Sequence, residues 1–526
     1  MRIAPSLIGR ISLLILLIGL SACTMVGPDF VPPTADVSQE WVATRDPLVK
    51  TEPAAYREWW KALNDPVLDS LIQVAYEQNL PLRIAGARVF EARARLGIAI
   101  GEQYPQTQQA FGSASYNRES ERAPSAPQQS RGVDFDYTQA GVGATAVWEL
   151  DFWGKFRRAV ESENASFLSS IAAYDSALVS LTADVARIYV LIRTIEDRLQ
   201  IARENLVIQK ESLRIARVRF QGGATSERDV QQALTLFFNT EATIPQLETF
   251  LRQAQNALCI LLGMPPRHLE EMLAGSSGIP KAPTEVAVGI PADLLRRRPD
   301  IQIAELQAAT QCALIGVAKA DLYPAFSLTG TFGFLSSDVG RFQLGDITSW
   351  KSRTGSFGPS FQWNLLNYGR ITNLVRVQDA RFQELIFNYQ DTVLRAQQEV
   401  EDGLASFLYS QVRVASLTEA ATAAERSADL ALTQYREGAT DYTTVLTAQQ
   451  ALLAQQDSLA QEQGNVPQGL IAVYRALGGG WEIREGKEFL PAEVIEAMGN
   501  RTDWGGLTRP AAVEPPTTVQ LLTPDW

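Results

Sequence analysis

Acidic residues, arginines and a single histidine are the side chains of this sequence that could support catalysis or bind a metal. Glu149 and Asp151 lie two positions apart in WELDFWGK, a spacing that could supply a general acid and a general base. The same spacing suits a strand-to-helix corner in which a carboxylate caps the helix, and we favour that interpretation. His268 follows MPPR in an expected loop and has no companion ligands near it, so we expect an ordinary surface residue and no metal site.

Three consecutive arginines, residues 296–298, stand before Pro299 and Asp300 and could form an anion site. Proline favours the first turn of a helix, and aspartate is favourable near a helix N-terminus. We therefore expect a structural junction between a linker and a helix. The sequence contains no Ser-His-Asp set, phosphate-binding loop or cluster of metal ligands. It predicts a protein that is not an enzyme and uses no cofactor.

The N-terminus has the order of a secretory signal. Arg2 and Arg10 accompany an apolar run of about ten residues, which ends in Leu-Ser-Ala-Cys. A spanning helix needs about twenty residues, so a membrane helix is the weaker alternative, and no later stretch is expected to be one. The ending resembles a bacterial lipobox, which implies cleavage before Cys23 and lipid, such as palmitate, on that residue. Thr24 follows instead of aspartate, which implies the outer membrane.

Two further cysteines, Cys259 and Cys312, lie in the apolar helical contexts ALCILLG and TQCALIG. We expect both to be small buried side chains. A disulfide between them is an open alternative in an oxidising compartment, because sequence does not show their separation.

The charge of the chain excludes one class of partner. Its 526 residues carry a formal net charge of −12, whereas proteins that bind nucleic acids present clustered lysine and arginine. No nucleic-acid partner is expected. If acidic side chains surround a pore, they concentrate cations, so a cation-preferring lumen is a further hypothesis.

The chain contains the same unit twice. Gly223-Ala224-Thr225 recurs 215 residues later as Gly438-Ala439-Thr440, and WELDFWGK recurs as WNLLNYGR at the same distance. Each copy predicts a helix, two strands, a very long helix, a break and a returning helix.

The long helices have a heptad pattern. Between residues 167 and 206 the apolar positions advance alternately by four and three residues, and residues 382–417 keep the pattern. A period of about 3.5 residues predicts coiled-coil packing. No proline or glycine interrupts residues 155–220, so that helix is expected to be roughly 100 Å long. An ordinary globular domain has no use for such a rod.

The strands alternate apolar residues with small or polar ones, most clearly over residues 326–334 and 142–150. This pattern suits a half-buried sheet or a membrane barrel. A sheet in lipid must close, and the smallest barrels have about eight strands. The chain supplies four, so a membrane location predicts an oligomer, either a dimer with eight strands or a trimer with twelve.

The predicted fold is mainly α with a β part, and the sequence divides into six segments. They are a signal peptide (1–22); a lipidated N-terminal segment (23–63); a first repeat (64–263) with strands at about 105–118 and 135–150, a long helix 154–220 and a return helix 225–262; a linker (264–290); a second repeat (291–480) with strands at about 324–336 and 355–367, a long helix 370–436 and a return helix 442–477; and a tail (481–526).

Five stretches resemble the TolC superfamily, in particular its lipoprotein branch, the NodT- and OprM-like outer-membrane efflux channels. They are VGPDFVPPT, WWKALNDPVLDSLIQVAYEQN, PADLLRRRPDIQIAE, GVAKADLYPAFSLTG and RALGGGW, and the likeness covers nearly all of the chain after Cys23. The resemblance selects the trimer. It implies a barrel of all twelve strands in the outer membrane and a helical tube, an α-barrel, across the periplasm.

The resemblance also implies a function. The chain would be the passive outer-membrane exit duct of a tripartite RND-type efflux system that exports small molecules such as drugs. Its partners would be a periplasmic adaptor protein and an inner-membrane pump. Two alternatives stay open: the outer-membrane channel of a type I protein secretion system, and a purely structural periplasmic spacer.

Finally, the resemblance places the two breaks at a periplasmic tip that is closed at rest and docks the adaptor. The family pattern puts an apolar and an acidic residue one turn apart after the second break, but Thr443 and Thr447 occupy those positions here. The candidate gate therefore also includes Asp441, Tyr442 and the matching Arg228 and Gln232 of the first copy. The tip turns comprise Gly222, Gly223, Ala224, Thr225, Gly438, Ala439 and Thr440.

Overall fold

The computed structural model describes residues 25–52, 56–120, 136–338 and 343–508, so the predicted signal peptide and Cys23 lie outside the described residues. The chain is mainly α-helical with one four-stranded sheet, as the sequence predicts. The first repeat contains α1 (Pro66–Gln78), α2 (Leu80–Gly101), β1 (Thr107–Arg118), β2 (Asp136–Leu150), α3 (Lys155–Gln221) and α4 (Glu227–Leu261). The second contains α5 (Pro299–Ala320), β3 (Ala325–Ser337), β4 (Arg353–Gln362), α6 (Arg370–Glu437) and α7 (Tyr442–Ala476), and α8 (Ala492–Arg501) follows.

Short elements connect these helices and strands. A two-residue parallel pair joins Val49–Lys50 to Val286–Ala287. The remaining described elements are helical turns at Val42–Arg45, Trp59–Leu63, Glu270–Leu273, Pro291–Asp293, Leu294–Arg297, Leu344–Thr348, Trp350–Ser352, Trp481–Arg484 and Gly505–Thr508.

The two long helices set the dimensions of the molecule. Helix α3 has 67 residues and α6 has 68, which corresponds to rods of roughly 100 Å each. Each is preceded by a glycine in the left-handed conformation, Gly154 and Gly369, where the chain turns into the helix. The four hairpin helices lie side by side in the order α4, α3, α7, α6. The heptad residues of α3, such as Leu178, Val185 and Ile192, are buried in this packing.

The sheet is antiparallel throughout, with the strands in the order β1-β2-β3-β4. Paired residues share a face, so the register sorts the side chains into two sets. One face carries mainly serine, threonine, glutamine and glycine, for example Thr145 opposite Thr331. The other face carries apolar residues, for example Val142 opposite Phe334 and Phe326 opposite Phe361.

The apolar face of the sheet is exposed on the single chain. Phe357 is 81 % exposed and Phe361 is 69 % exposed, while Tyr116 and Trp148 lie toward the far ends of their strands. An exposed apolar band with aromatic residues toward both ends is typical of a sheet that faces lipid. The outer strands β1 and β4 each have one edge without a partner strand among the described residues.

The main core lies near the middle of the long helices, where the N-terminal segment and the tail pack around them. Trp59 stacks on Tyr474 with ring centroids 5.4 Å apart. The tail is attached by Arg484, which donates a hydrogen bond of 2.8 Å to the buried carboxylate of Asp175, and by Phe489. The described part of the tail therefore packs around the hairpins and has a structural role.

Several sequence-based interpretations can be compared with the structure. Asp151 accepts hydrogen bonds from the backbone of Phe156 and Arg157 at 3.1 and 3.0 Å, so the capped corner is confirmed. Arg298 donates to Asp300, Glu399 and the carbonyl oxygen of Ala476, which confirms a structural junction at this arginine. His268 lies on the surface as expected, with 80 % of its side chain exposed.

The end of strand β4 and the apolar length of helix α5 differ from the expectations, and the structure decides between the two alternatives for the cysteines. Strand β4 ends at Gln362 and not at residue 367, because the chain leaves the sheet at Trp363. Cys259 and Cys312 are buried and do not form a disulfide. Among the described residues, helix α5 is long and apolar enough to cross a membrane by length and composition, although none was expected, and half of it is buried against other parts of the chain.

Candidate functional site

The two breaks in the long hairpins form the same turn. At the first, the amides of Gly223 and Ala224 donate to carbonyl oxygens three and five residues earlier, at 3.0 and 2.9 Å. At the second, Gly438 and Ala439 do the same at 3.1 and 2.8 Å. Both glycines have positive φ, 70° and 80°, which a residue with a Cβ rarely adopts. This pattern of bonds ends each long helix and lets the chain reverse.

The helices that leave the two turns are capped differently. Asp441 accepts a hydrogen bond of 3.3 Å from the backbone of Thr444 and one of 3.1 Å from its hydroxyl. The first copy has Ser226 at the corresponding cap, and its side chain makes no capping bond. Asp229 instead accepts from the hydroxyl of Thr225. The duplicated turns have therefore acquired different side-chain roles.

Arg219 connects the two hairpins. Its side chain extends from the end of α3, and the guanidinium donates to the carbonyl oxygens of Tyr435 and Arg436, the latter at 3.1 Å. It also lies over the Tyr435 ring, 4.7 Å from the centroid. A cation is favourable next to the last carbonyl groups of a helix, so the contact stabilises the end of α6.

A second connection runs through a buried carboxylate. Asp229, in the first turn of α4, is 3 % exposed and lies 3.4 Å from the hydroxyl of Tyr435. Arg228 lies 3.8 Å from the same carboxylate. Burial raises the pKa of the Tyr435 hydroxyl, and the charge of Asp229 acts in the same direction. The hydroxyl therefore stays protonated and available as a donor at neutral pH.

Around these polar contacts is a small apolar core that we call the tip cluster. Tyr435 packs edge-on against Tyr442 with centroids 5.3 Å apart, and both rings are almost completely buried. The cluster draws on all four hairpin helices, so it joins the two hairpins of one chain. Its buried members are Leu213, Ile215, Ala216, Val230, Ala233, Ala431, Tyr435, Tyr442 and Val445.

The candidate gate residues separate into two groups. Thr443, Thr447 and Arg228 are exposed on the single chain. The hydroxyl of Thr447 donates back to the carbonyl oxygen of Thr443 at 2.6 Å, within its own helix. Tyr442 is fully buried, so in this structure it packs inside the tip and does not line an opening.

Two other candidates have partly structural positions. Asp441 is exposed but serves as the cap of α7. Gln232 is half-buried, and its Oε1 is a buried atom without a hydrogen-bond partner among the described residues.

The residues of the two turns lie at the ends of the hairpins. Thr225 and Thr440 are half-buried, and the others are exposed on the single chain: Gly222, Gly223, Ala224, Gly438 and Ala439. The hydroxyl of Thr440 donates to that of Thr444 at 2.9 Å. The exposed turns leave backbone and small side chains accessible at the far end of each hairpin.

The sequence did not single out Arg219, Asp229 or Tyr435 as contacts between hairpins. In the repeat, Tyr435 is the counterpart of Phe220, 215 residues earlier. The two positions differ in the structure, since Phe220 is 42 % exposed and Tyr435 is 1 % exposed. The available signal in the sequence was that one copy of the repeat has tyrosine where the other has phenylalanine, which adds a hydroxyl group that can form a hydrogen bond.

Known proteins are similar to this chain over most of its length. The family model described as outer membrane efflux protein matches residues 71–264 and 290–479. Nodulation protein T of Rhizobium leguminosarum bv. viciae is 31 % identical over 476 residues, which is 90 % of this chain and 94 % of the relative. The toluene efflux pump outer membrane protein TtgI of Pseudomonas putida is 30 % identical over 479 residues, 89 % of this chain and 98 % of the relative.

Solved structures show the same fold. The outer-membrane channel OprN superimposes with a TM-score of 0.79 at 32 % identity, covering 87 % of this chain and 99 % of that one. The CmeC outer membrane channel of Campylobacter jejuni superimposes with a TM-score of 0.80, covering 89 % of this chain and 100 % of that one. At 23 % identity, the second likeness is one of fold alone.

Proposed function

Because this chain belongs to the outer membrane efflux protein family, and so is an outer-membrane efflux channel that extends into the periplasm, we propose that it acts as a passive exit duct closed at rest by its hairpin tips. The observation that carries this proposal is the combination of a sheet face suited to lipid with long helices of roughly 100 Å, whose hairpins are joined at their far ends. Such a chain connects a membrane to a distant contact point. We propose no enzymatic activity and no cofactor beyond a lipid on Cys23.

The proposed duct is a homotrimer. Four strands cannot close a barrel, and three chains supply 3 × 4 = 12 strands, with the free edge of β4 next to the free edge of β1 of the following chain. The outermost hairpin helices support the same arrangement, because α6 exposes Phe387, Leu394 and Tyr409, and α4 exposes Phe238 and Phe250. A head-to-tail contact of this kind can close into a ring.

The proposed cargo is small molecules. TtgI is named for toluene efflux, and ArpC of Pseudomonas putida, 30 % identical to this chain, is named for antibiotic efflux. The alternative, a channel for type I protein secretion, has the same architectural requirements, so the fold does not separate the two. A periplasmic adaptor and an inner-membrane pump are the proposed partners, with the adaptor at the tip turns.

The lumen of the sheet offers a more specific expectation. The polar face of the described strands carries one charged side chain, Glu149, among mainly hydroxyl and amide groups. With the net charge of −12, this supports a lumen with a cation preference. Reversal potentials across a salt gradient measure it, and an anion preference would contradict it.

One experiment tests the duct directly. The purified protein is placed in a planar bilayer, and the current through it is recorded. We expect discrete conductance steps, whereas a purely structural spacer conducts no current. In cells, deletion of the gene is expected to increase sensitivity to small exported compounds, and capture of the adaptor identifies the efflux or the secretion system. Unchanged sensitivity to a broad panel, together with capture of a secretion-type adaptor, would favour the alternative.

A further inference from the structure

The hairpin helices contain two separate apolar cores. The main core extends along α3 from Ile171 to Ala202, and the tip cluster begins at Leu213. Of the buried apolar residues of α7, Leu452 and Ala460 lie between the two and belong to neither. Two neighbouring helices that pack through one continuous heptad stripe would have a single core. The interruption requires an explanation in the side chains between the cores.

Polar residues occupy the interruption, and we call them the polar layer: Asn205, Gln209 and Ser212 of α3 with Gln449 and Gln456 of α7. Asn205, Gln209, Ser212 and Gln449 are each at most 2 % exposed. Asn205 donates to the Gln456 side chain at 2.6 Å, and Gln449 donates to the Ser212 hydroxyl at 2.5 Å. Gln209 continues the heptad stripe of α3, where an apolar residue is expected.

The polar layer is not fully satisfied by the protein. Gln209 is 1 % exposed, and both its Nε2 and its Oε1 have no partner among the described residues; the Oε1 of Gln449 has none either. A buried amide without a partner is costly, and buried water is the usual partner at such sites. An apolar pair of similar size would avoid this cost. The layer therefore has a property that packing alone does not explain.

The position of the layer, between a rigid contact on one side and the tip on the other, suggests that property. On the side away from the tip, Arg198 donates to both carboxylate oxygens of Asp457, at 2.7 and 3.1 Å. Farther along, Gly464 approaches Thr194 so closely that a Cβ on the glycine would overlap the threonine side chain. On the other side is the tip cluster. Helices α3 and α7 are thus held firmly up to Arg198 and then cross a layer of side-chain hydrogen bonds and amide atoms that have no partner among the described residues.

We propose that the polar layer holds ordered water and is the plane at which the tip end of the α6–α7 hairpin moves relative to α3. Water molecules can exchange hydrogen bonds as the helices slide, whereas interdigitated apolar side chains resist sliding because close packing is lost. The Arg198–Asp457 pair is the fixed end of this movement. That the movement opens the duct rests on the proposed function; the water and the local motion do not.

The test replaces the layer by an apolar one in the full-length protein. The variants are Gln209→Leu, Gln449→Leu and the double variant, each close in size to the original residue. The matched controls are Gln200→Leu on α3 and Gln450→Leu on α7, the same substitution at exposed positions. The Ser212 hydroxyl keeps the carbonyl oxygen of Ile208 as a partner when Gln449 is replaced.

Two measurements follow, and neither depends on transport. A high-resolution structure of the unmodified protein is expected to show water at hydrogen-bond distance, about 3 Å, from the Gln209 amide. Hydrogen–deuterium exchange of the amides in residues 436–446 is expected to be about tenfold slower in the double variant, equivalent to about 1.4 kcal/mol. Exchange between Ile171 and Thr194 is expected to stay the same.

Bilayer current is the third measurement. In the double variant we expect openings to become about tenfold rarer, in step with the slower exchange, while both controls behave as the unmodified protein. A dry layer, or tip exchange that is unchanged in the double variant, overturns the proposal. A variant that is only more resistant to heat, with tip exchange and openings unchanged, shows a merely structural layer and also overturns it. Absence of current from the unmodified protein contradicts the proposed duct and leaves the exchange result to decide the movement. If the double variant does not fold, Gln209→Met with the same readouts replaces it.

Discussion

Replacement of Arg219 by alanine is the most informative single perturbation of the tip. The side chain is the bridge from the first hairpin to the last carbonyl groups of α6, and it covers the Tyr435 ring. Without it, the carbonyl oxygens of Tyr435 and Arg436 lose a charged donor, and the two hairpins lose one of their polar connections. Since the connection exists only when the hairpins are together, its loss is expected to favour the separated, open tip.

The contacts of Arg219 set the size of the expected effect. Hydrogen bonds from a charged donor contribute about 1.5 kcal/mol at a half-buried site, and a cation over an aromatic ring adds about 0.5 kcal/mol. The total of about 2 kcal/mol per chain corresponds to a roughly 30-fold larger open population.

The assay is single-channel recording of the purified protein, with Arg214→Ala as the control. Arg214 lies on the same helix, is exposed, and pairs at 2.7 Å with Glu211 of its own helix, so its loss is expected to change little. We expect Arg219→Ala to raise the open probability and Arg214→Ala to leave it as in the unmodified protein. Equal open probability in all three proteins would refute the reasoning and place the resting closure elsewhere, for instance at Thr443, where an inserted charge should then change the current.

Further predictions concern pH, packing and the cysteines. Burial raises the pKa of Tyr435, so the contribution of its protonated hydroxyl to the stability of the closed tip is fully present below about pH 10, the ordinary pKa of tyrosine, and is lost as the pH rises above it. The resting current should therefore be constant from about pH 6 to 9 and rise at more alkaline pH. The Tyr435→Phe variant should not show that rise. Gly464→Ala is expected to cost about 1–3 kcal/mol through overpacking and to lower the thermal midpoint, whereas Gly499→Ala, with open space around it, should not lower it. Incubation of cells with a labelled fatty acid should label the unmodified protein and not Cys23→Ala; an equally labelled variant would contradict lipidation there. Denatured mature protein should react with two equivalents of a thiol reagent without reduction, since the two helical cysteines are free, and a reduction-dependent signal would contradict this.

Much of the fold was readable because it depends on regular patterns. Helix α3 was predicted at residues 154–220 and extends over Lys155–Gln221, and α7 was predicted at 442–477 and extends over Tyr442–Ala476. A heptad stripe without proline or glycine strongly favours one continuous helix, so the limits of α3 can be placed within a residue or two. Strand β4 was placed less well, because Trp363 and Leu365 continue the apolar alternation after the chain has left the sheet.

At the hairpin tip, sequence patterns predicted the local turns but not the contacts between the two hairpins. The break at Gly438 was foreseen, because a helix end depends on the residues next to it, and the structure places the cap of α7 at Asp441. The contact of Arg219 with Tyr435 was not, because 216 residues separate the partners and only the packing of the two hairpins brings them together. Tyr442 was a gate candidate by position, and its burial was decided by the side chains of the other hairpin.

The duplicated unit, the long helices, the alternating strands and the glycine turns were predictable from sequence, since each depends on residues close together in the chain. Helix packing determines which equivalent positions of the two copies face one another. Phe220 became exposed while Tyr435 became buried, and Gln209 came to lie in a polar layer where its heptad position predicts an apolar contact. The physical reason is that burial and hydrogen-bond partners are properties of helix packing, and two copies of one sequence pattern pack against different neighbours.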